Sequence, residues 1–470
     1  MRSAPTVSGT RIVLLGAVAF LWLGLILVRL IDLQVLRHPE LSRRAQRQQQ
    51  RTLEVTPKRG VLYDRNRREL AVSIRVDSLF AVPSEVTDPA LAARLLAPVL
   101  ELEPTTLEDR LRSARSFVWV KRKLGAAQTE RVRSLNLAGL HFQSEYKRFY
   151  PKRELAAHVL GFVGIDENGL AGIEYALDDV IRGRPRRLVI TADGRRRWVE
   201  RHSQVREEGA SVALTLDENI QYIAERELAA AIARTGAHAG TVLVQDPGTG
   251  EILAMANYPS FNPNNPTAVP TARHVNRALS LVYEPGSTFK IVAAAAGLEE
   301  RVTWPGELID CQQGSILLAG HRIRDHRPFG RLSLRQVIQE SSDVGIIKIA
   351  LRLGQEKLYH YIHRWGFARP TGIELPAESR GLLRPVHNWS RVSIGAIAMG
   401  QEVAITPLQL ITAISALANG GLWQQPHVVR EIIGEPGRQS LTLPRRERII
   451  PAGVAEELRR MLVGVVRRGT

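Results

Sequence analysis

The sequence predicts an α+β protein in which a single N-terminal membrane helix precedes two folded domains. Three observations support this prediction: an uncharged apolar run near the N-terminus, a change in composition at Ser211, and the alternation of strand-like and helix-like stretches that follows it. A chain of 470 residues is too long for one compact core, and 44% apolar residues are enough to fill more than one.

The N-terminal apolar run predicts a membrane anchor. Residues 12–28 read IVLLGAVAFLWLGLILV without a charged side chain and would span about 25 Å as a helix. Further apolar residues up to position 33 bring the segment to the usual transmembrane length, so we assign 1–11 to a short cytoplasmic segment and 12–33 to the anchor. A cleaved signal peptide is the alternative, but RLIDLQVLRH follows the run in place of a small-residue cleavage site.

The distribution of arginines around the apolar run bears on the orientation of this anchor in the membrane. Two arginines precede the apolar run, whereas six lie between residues 29 and 51. By the positive-inside rule, this distribution would leave the large C-terminal part of the chain in the cytoplasm.

Residues 34–209 predict a mixed, elongated domain. A polar helical stalk is expected at 39–50, and RGVLYDRNRRELAVS then alternates apolar and polar residues about a turn at Asp64. This turn region, with Arg59, is interpreted as structural and held by charge pairs. Helical periodicity dominates residues 89–137.

Residues 210–470 predict a second α+β domain. The string SVALTLDENIQYIAERELAAAIA gives a strand, a helix cap at Asp217 and an amphipathic helix. TVLVQDPGTGEILAMAN then gives two strands joined by a turn, and most of the following sequence is helical. A helix next to antiparallel strands is an α+β arrangement.

Ser287 and Lys290 are the first candidate catalytic pair. They belong to the tetrad Ser-Thr-Phe-Lys, which follows Glu-Pro-Gly and opens the apolar helical run IVAAAAGL. Three residues apart on a helix, the two side chains share a face. A serine needs a base to act as a nucleophile, and burial together with a helix N-terminus favours the neutral amine that can serve as one.

A Ser-x-x-Lys tetrad is not specific by itself. The chain contains a second one, from Ser144 to Lys147, in the charged segment HFQSEYKRFYP. No apolar helix follows this tetrad to bury its amine, so we interpret it as a chance match.

The triplet Ser341-Ser342-Asp343 strengthens the interpretation of Ser287. It follows the helical stretch LSLRQVIQE and precedes VGIIKIALRLG, so a polar link joins two helices 54 residues after Ser287. Ser-x-x-Lys, a Ser-Asp-Asn-type triplet and a Lys-Thr-Gly strand together are characteristic of the serine acyltransferases that include penicillin-binding proteins and class A β-lactamases.

The chain resembles class B, monofunctional penicillin-binding proteins, and among them the division (FtsI-like) type more than the elongation type. The similarity extends over nearly the whole length, and several long segments occur in the family's order. These segments include RGVLYDRNRRELAVS, RFYPKRELAAHVLGFVGIDENGLAGIE, LTLDENIQYIAERELAAAI, EPGSTFKI, ESSDVGIIKIA and GAIAMGQEVAITPLQLITAISALANGG.

The resemblance implies a non-catalytic pedestal, then a transpeptidase domain with a five-stranded type of antiparallel sheet flanked by helices. Ser287 would attack the penultimate D-alanine carbonyl of a peptidoglycan stem peptide, with its own backbone N–H as one oxyanion donor. Lys290 would take the Ser287 proton, Ser341 would relay a proton to the leaving amine, and Asp343 would lie in a substrate-binding position.

Two features depart from the family pattern. Asp343 stands where the family usually has asparagine, whose amide donates to the substrate backbone, whereas an ionised carboxylate only accepts. Asp343 is also placed to bind Lys290 and hold it charged, which would weaken a role for Lys290 as a base. No Lys-Thr-Gly triplet follows Gly400, so we expect the transpeptidase domain to be incomplete at its C-terminus.

The resemblance also implies the setting of the protein. It predicts a single-pass protein of the cytoplasmic (inner) membrane with its bulk in the periplasm, and it predicts no cofactor and no metal. The expected partners are stem peptides, the lipid-linked peptidoglycan precursor, β-lactams, a polytopic glycan polymerase and division proteins. A catalytically inactive division scaffold, an elongation-type transpeptidase and a β-lactam sensor or hydrolase of the same fold are the alternatives.

Other features of the composition have plain interpretations. The net charge of +17 is scattered over helices and loops and not gathered into a nucleic-acid motif, so nucleic acid is not expected as a partner. Cys311 is the one cysteine, which excludes an intrachain disulfide, and we expect it to be an inert small residue. His274, His321 and His326 have no metal-ligand spacing.

Overall fold

The computed structural model describes residues 9–38, 40, 50–55, 57–115, 117–183, 186–192, 198–199, 208–434 and 444–469, with the backbone alone at 9–12, 50–55, 186–192 and 198–199. The chain forms two compact units. The first comprises Met1–Pro57 and Arg184–Glu207, and the second comprises Lys58–Gly183 and Glu208–Thr470. Most of the stalk predicted at 39–50 lies outside the described residues.

The part of the chain up to Leu214 contains seven of the described helices and eight of the described strands. In chain order they are α1 (Gly9–Ile31), β1 (Gln50–Val55), β2 (Leu62–Tyr63), β3 (Glu69–Ala81), α2 (Pro89–Leu100), α3 (Pro104–Leu111), β4 (Val118–Lys121), α4 (Ala126–Ser134), β5 (Leu140–Phe149), α5 (Ala157–Leu160), α6 (Gly172–Ala176), α7 (Asp178–Ile181), β6 (Arg186–Ala192), β7 (Trp198–Val199) and β8 (Ser211–Leu214).

From Glu218 onward helices dominate, and the strands are short. The elements are α8 (Glu218–Thr235), β9 (Gly240–Gln245), β10 (Ile252–Tyr258), α9 (Arg277–Ser280), α10 (Lys290–Glu299), β11 (Leu308–Asp310), β12 (Ser315–Leu318), β13 (His321–Arg324), β14 (Arg331–Ser333), α11 (Leu334–Gln339), α12 (Asp343–Leu353), α13 (Gln355–Arg364), β15 (Leu382–Leu383), α14 (Ser393–Ala398), β16 (Val403–Ala404), α15 (Pro407–Ala418), β17 (Leu422–Gln424), β18 (Val429–Ile433), β19 (Arg446–Arg448) and α16 (Ala452–Arg468).

The first unit contains the predicted anchor. Among the described residues, one helix is long and apolar enough to cross a membrane, and its apolar span, Val13–Leu36, is not buried in the protein. At its end Asp32 binds two of the arginines that follow the apolar run, with Oδ2 2.7 Å from Arg29 Nη1 and Oδ1 3.1 Å from Arg37 Nε. The same unit holds an antiparallel sheet in the order β1–β6–β7.

A six-stranded sheet in the second unit draws strands from both predicted domains. Its order is β18–β8–β2–β3–β4, and β5 pairs with β3. β2 runs parallel to β8, and the other pairs are antiparallel. Because β8 and β18 come from the sequence after residue 210, backbone hydrogen bonds link the two domains, and the predicted boundary at 209/210 falls directly before a shared strand.

The elements predicted after Ser211 are present. The Asp217 side chain caps α8 by accepting from the backbone N–H groups of Asn219 and Ile220, and β9 pairs antiparallel with β10. The five-stranded sheet expected here is not formed by the described residues, which contribute these two strands. The later strands pair elsewhere: β17 pairs with β19, and β18 pairs with β8.

Helix α10 lies at the centre of the largest core. Its residues from Lys290 to Gly297 are all buried, as expected for a helix that is apolar on nearly every side. Gly297 allows α12 to approach closely, since a Cβ at this position would lie 2.8 Å from Ile349 Cγ2. Helix α10 therefore packs directly against α12.

The hairpin β2–β3 is held by buried charges, as the charge-pair interpretation predicted. Arg59 is fully buried and places Nη2 2.7 Å from Glu174 Oε2 and Nη1 2.6 Å from Asp178 Oδ1. Arg148 of β5 places Nε 2.5 Å from the other oxygen of Glu174 and donates from Nη1 to the carbonyl of Gly60. Glu174 thus joins the segment before β2 to β5.

Replacing Glu174 with alanine is expected to destabilise the protein by about 3–5 kcal/mol, because two buried guanidinium groups would lose their shared carboxylate. Chemical unfolding of the purified protein measures this change. The control is Glu431→Ala, which breaks an ion pair between half-exposed side chains, Arg67 and Glu431, and should cost no more than about 1 kcal/mol. Equal losses in the two variants would contradict the structural role of the buried network.

Candidate active site

The segment EPGSTFKI exposes Ser287 and buries Lys290. Gly286–Phe289 forms one 3₁₀ turn that runs directly into α10. Phe289 is buried and packs on Phe367 with ring centroids 5.0 Å apart, which anchors the turn to the core. One turn therefore presents the Ser287 hydroxyl to solvent, while the Lys290 side chain, in a residue only 2% exposed, enters the protein.

A close backbone contact fixes the turn that precedes Ser287. Gly286 N–H donates to the carbonyl of Gly400 at 3.0 Å. Gly400 has φ of +83°, and a Cβ there would lie 2.1 Å from the Gly286 carbonyl oxygen. Only glycine satisfies both the conformation and the space at this position.

The predicted triplet lies where α11 ends and α12 begins. Ser342 N–H donates to the Val337 carbonyl and Ser341 N–H donates to the Ile338 carbonyl, which is the Schellman pattern of a helix C-terminus. Ser341 occupies the left-handed position of this motif with φ of +53°, where glycine is usual. Ser342 caps the next helix by accepting from Gly345 N–H at 3.0 Å. Two helix ends thus dictate the direction of the Ser341 side chain.

The structure brings the predicted residues together in one hydrogen-bonded chain. Lys290 Nζ donates to Ser341 Oγ at 2.9 Å, and Ser341 Oγ donates to Ser287 Oγ at 2.9 Å. Ser341 therefore bridges the serine and the lysine of the tetrad. The sequence placed Ser287 and Lys290 on one face of a helix, but their spacing along that helix could not show that the Ser341 side chain lies between them.

Asp343 completes the environment of the buried amine. Its Oδ1 lies 2.7 Å from Lys290 Nζ, as expected for an aspartate at this position. The Ser341 carbonyl also accepts from Nζ, at 2.5 Å. Three oxygens within 2.9 Å surround the amine, so Lys290 is paired and hydrogen-bonded in the way that a buried cation requires.

Asp325 is a site residue that sequence reasoning missed. One carboxylate oxygen accepts from the backbone N–H groups of Asp343 and Val344 at 2.5 and 3.0 Å, and the other accepts from Ser342 Oγ at 2.8 Å. A carboxylate at a helix N-terminus is favoured by the free N–H groups and by the helix dipole. Asp325 lies in RIRDHRP directly after β13, and no local pattern in the sequence relates it to a helix that begins 18 residues later.

The second tetrad has no comparable geometry. Ser144 and Lys147 lie on strand β5, where side chains three residues apart point to opposite faces. Ser144 Oγ instead accepts from Arg75 Nε at 2.5 Å. The interpretation of this tetrad as a chance match is supported by its place in the fold.

The remaining candidates take structural positions. Cys311 is fully buried below the triplet, and burial raises the pKa of its thiol. His274 packs on aromatic rings, while His321 and His326 are exposed. Within the part of the chain that the structure describes, no group of three or more His, Cys, Asp or Glu side chains has the arrangement of a metal site.

Two family models match the chain in the order expected from the motifs. The Penicillin-binding Protein dimerisation domain matches residues 54–214, and the Penicillin binding protein transpeptidase domain matches residues 240–470. The second match contains Ser287, Lys290 and the triplet.

Relatives and solved structures agree with these matches. The probable peptidoglycan D,D-transpeptidase PenA of Neisseria meningitidis serogroup A is 33% identical over 99% of this chain and 79% of its own length. The peptidoglycan D,D-transpeptidase FtsI of Escherichia coli K12 is 30% identical over 98% of this chain and 78% of its own. The crystal structure of penicillin binding protein 3 from Mycobacterium tuberculosis, complexed with ampicillin, superposes with a TM-score of 0.67 at 27% identity, covering 88% of this chain and 76% of that one.

The fold and the serine–lysine site define a serine acyltransferase with an N-terminal apolar helix. The chain belongs to the class B penicillin-binding proteins, which confirms the resemblance inferred from the motifs, and its transpeptidase domain makes it a serine-type transpeptidase. The apolar helix together with this family membership describes a single-pass membrane protein with a large domain outside the membrane.

Substitution of Ser341 by glycine or alanine is expected to separate its effect on stability from its effect on activity. Ser341→Gly should be more stable than Ser341→Ala by about 1 kcal/mol, because glycine accepts a left-handed backbone without strain. Both variants should lose about 10²-fold or more in the rate of acylation by a penicillin, since each removes the hydroxyl that bridges Ser287 and Lys290. Chemical unfolding and stopped-flow acylation measure the two quantities, and wild-type acylation in Ser341→Gly would exclude the bridging role.

Asp325→Asn is expected to slow acylation through the position of the triplet. An amide offers one acceptor oxygen where three donors now converge, so stability should fall by about 1–3 kcal/mol and acylation should slow as α12 loses its anchor. The matched control is Asp310→Asn, which changes an exposed aspartate whose side chain accepts from Gln312 N–H. Wild-type rates in Asp325→Asn, or equal effects of the two substitutions, would show that Asp325 does not position the site.

Proposed function

We infer that the protein is a peptidoglycan D,D-transpeptidase that cross-links stem peptides through an acyl-enzyme on Ser287. The observation that supports this most directly is the chain of hydrogen bonds from Lys290 through Ser341 to Ser287. It connects an exposed hydroxyl to a buried amine, which is the arrangement needed to remove a proton from a serine at neutral pH.

In the proposed reaction, Ser287 Oγ attacks the penultimate D-alanine carbonyl of a stem peptide. A bond forms between Oγ and that carbonyl carbon, and the bond to the terminal D-alanine nitrogen breaks. With the Lys290 amine neutral, the Ser287 proton moves to Ser341 as the Ser341 proton moves to Lys290. Lys290 then returns a proton through Ser341 to the leaving amine. An amine of a neighbouring stem then attacks the ester, transfers its proton back to Ser287, and leaves the two stems cross-linked.

The hydrogen bonds in the structure point in the direction needed to return a proton to Ser287. As found, Lys290 donates to Ser341 and Ser341 donates to Ser287, so both protons point toward the nucleophile's oxygen. Once the amine is neutral, rotation of the two hydroxyl hydrogens reverses both bonds without moving a heavy atom. The same side chains therefore serve proton removal and proton return.

The backbone at Ser287 supplies part of the electrostatic stabilisation in this mechanism. Among the described residues, no acceptor bonds to Ser287 N–H, which is one of the free donors at the start of a helix. Such a donor beside the nucleophile is suited to bind the oxyanion of the tetrahedral intermediate.

The relatives named FtsI and PenA favour a role in septal cell-wall synthesis at division. We assign residues 1–11 to the cytoplasm, 12–33 to the cytoplasmic (inner) membrane, 34–209 to the pedestal and 210–470 to the transpeptidase domain, with both domains in the periplasm. Stem peptides, the lipid-linked precursor and β-lactams are the expected ligands. A polytopic glycan polymerase and division proteins are the expected partners.

Mass spectrometry after treatment with benzylpenicillin tests the proposed chemistry. A covalent adduct is expected on the Ser287 peptide of the full-length protein, because the β-lactam ring is opened by the same nucleophile. Ser287→Ala should abolish the adduct without lowering the stability of the protein by more than about 1 kcal/mol, since Ser287 is exposed.

Ser144→Ala is the matched control, because it removes the serine of the other Ser-x-x-Lys tetrad and should leave the adduct unchanged. An adduct on Ser144, or an adduct that persists in Ser287→Ala, would overturn the assignment of the nucleophile. Complete absence of an adduct in the wild-type protein would favour the catalytically inactive scaffold.

A further inference from the structure

The residues directly before Ser287 are bound at both ends to residues 400–405, which follow α14. Tyr283 and Ile405 exchange two backbone hydrogen bonds, at 3.0 and 2.9 Å, in an antiparallel bridge. Three residues further along, Gly286 N–H donates to the Gly400 carbonyl at 3.0 Å. The turn that carries the nucleophile therefore begins at a contact between two segments that lie far apart in sequence.

The Glu284 side chain makes a third hydrogen bond between these two backbone contacts. Its Oε1 accepts from the Glu402 N–H at 2.8 Å. Glu284 is exposed, and within the described ranges no lysine, arginine or histidine forms an ion pair with its carboxylate. This glutamate is therefore directed at a backbone donor beside the site, and not at a cation on the surface.

Glu402 presents that N–H from a strained backbone. Its φ of +55° is left-handed, a conformation that a residue with a Cβ disfavours. Its own carboxylate is bound by Arg384 and accepts from Ser393 Oγ at 2.7 Å, and Ser393 is fully buried at the start of α14. Strained residues persist where the surrounding structure holds them, and they cluster at active sites. The anchored carboxylate thus fixes the direction of the Glu402 N–H.

We propose that Glu284 is a positioning residue for Ser287. By accepting from Glu402 N–H, its carboxylate holds the turn Gly286–Phe289 so that Ser287 Oγ stays 2.9 Å from Ser341 Oγ. Glu284 acts through the backbone and exchanges no proton with the reacting groups. The inference rests on the proposed function, because acylation of Ser287 is the step that this position controls.

Stopped-flow acylation of the full-length protein by benzylpenicillin tests the proposal. The dependence of the observed rate on penicillin concentration separates the dissociation constant of the first complex from the rate constant of acylation. Glu284→Ala should lower the acylation rate constant about tenfold, since a displaced nucleophile reacts slowly even when the ligand is bound. The dissociation constant should change by less than about twofold, because Glu284 does not contact the ligand.

Two conservative variants separate position from charge. Glu284→Gln loses the charge but keeps an acceptor oxygen at the same reach, so its rate constant should stay within about threefold of wild type. Glu284→Asp keeps the charge but withdraws the acceptor by one methylene, so its rate constant should fall about as far as in Glu284→Ala. The matched control is Asp246→Ala, which removes a carboxylate that accepts from Gly248 N–H at 2.7 Å in the turn between β9 and β10. It should leave the rate constant unchanged.

The reverse order, with Glu284→Asp near wild type and Glu284→Gln as slow as Glu284→Ala, would show an effect of charge and overturn the positioning role. A wild-type rate constant in Glu284→Ala would also overturn it, and so would a loss confined to the dissociation constant. If Glu284→Ala fails to fold, the order of the glutamine and aspartate variants decides. Failure of the underlying function gives a different result, since the wild-type protein would then form no adduct on Ser287.

Discussion

The requirement to satisfy one buried amine organises the C-terminal domain. Lys290 enters the core at the start of an otherwise apolar helix, and a charged amine there is tolerated only if oxygens surround it. Those oxygens come from Ser341 and Asp343, which belong to the junction of α11 and α12. These contacts hold the start of α10 against the junction of α11 and α12, and they place Ser341 Oγ 2.9 Å from Ser287 Oγ.

Three further features hold Ser341 and Ser287 in these positions, and each imposes a local constraint on the chain. Ser341 adopts a left-handed backbone that a β-carbon disfavours, and the adjoining helix ends hold it there. Asp325, which directly follows the β12–β13 strand pair, accepts hydrogen bonds from two backbone N–H groups in the first turn of α12. Gly400 has no side chain, which allows its backbone to contact the turn before Ser287. Active sites commonly hold their reacting side chains in a preorganised and locally strained arrangement.

The buried ion-pair network around Glu174 has a structural role and contains none of the candidate site residues. Arg59 and Arg148 share Glu174, so three chain segments far apart in sequence meet at one carboxylate. The mixed sheet continues this connection, since β8 and β18 complete a sheet begun by β2 and β3. The pedestal and the transpeptidase domain are thus joined by backbone hydrogen bonds within one compact unit, although sequence patterns alone suggested separate domains on either side of residue 209.

Patterns among neighbouring residues were sufficient to predict the apolar anchor, the cap at Asp217 and the helix that begins at Lys290. They also singled out Ser287, Lys290 and the triplet as candidate site residues. The sequence also separated Ser287 from Ser144, because only the former precedes an apolar helix. Tertiary structure alone decided that Ser341 lies between the serine and the lysine, that Asp325 anchors the triplet, and that β8 belongs to a shared sheet. The physical reason is that periodicity and capping act within a few residues, whereas these contacts are set by which distant segments pack together.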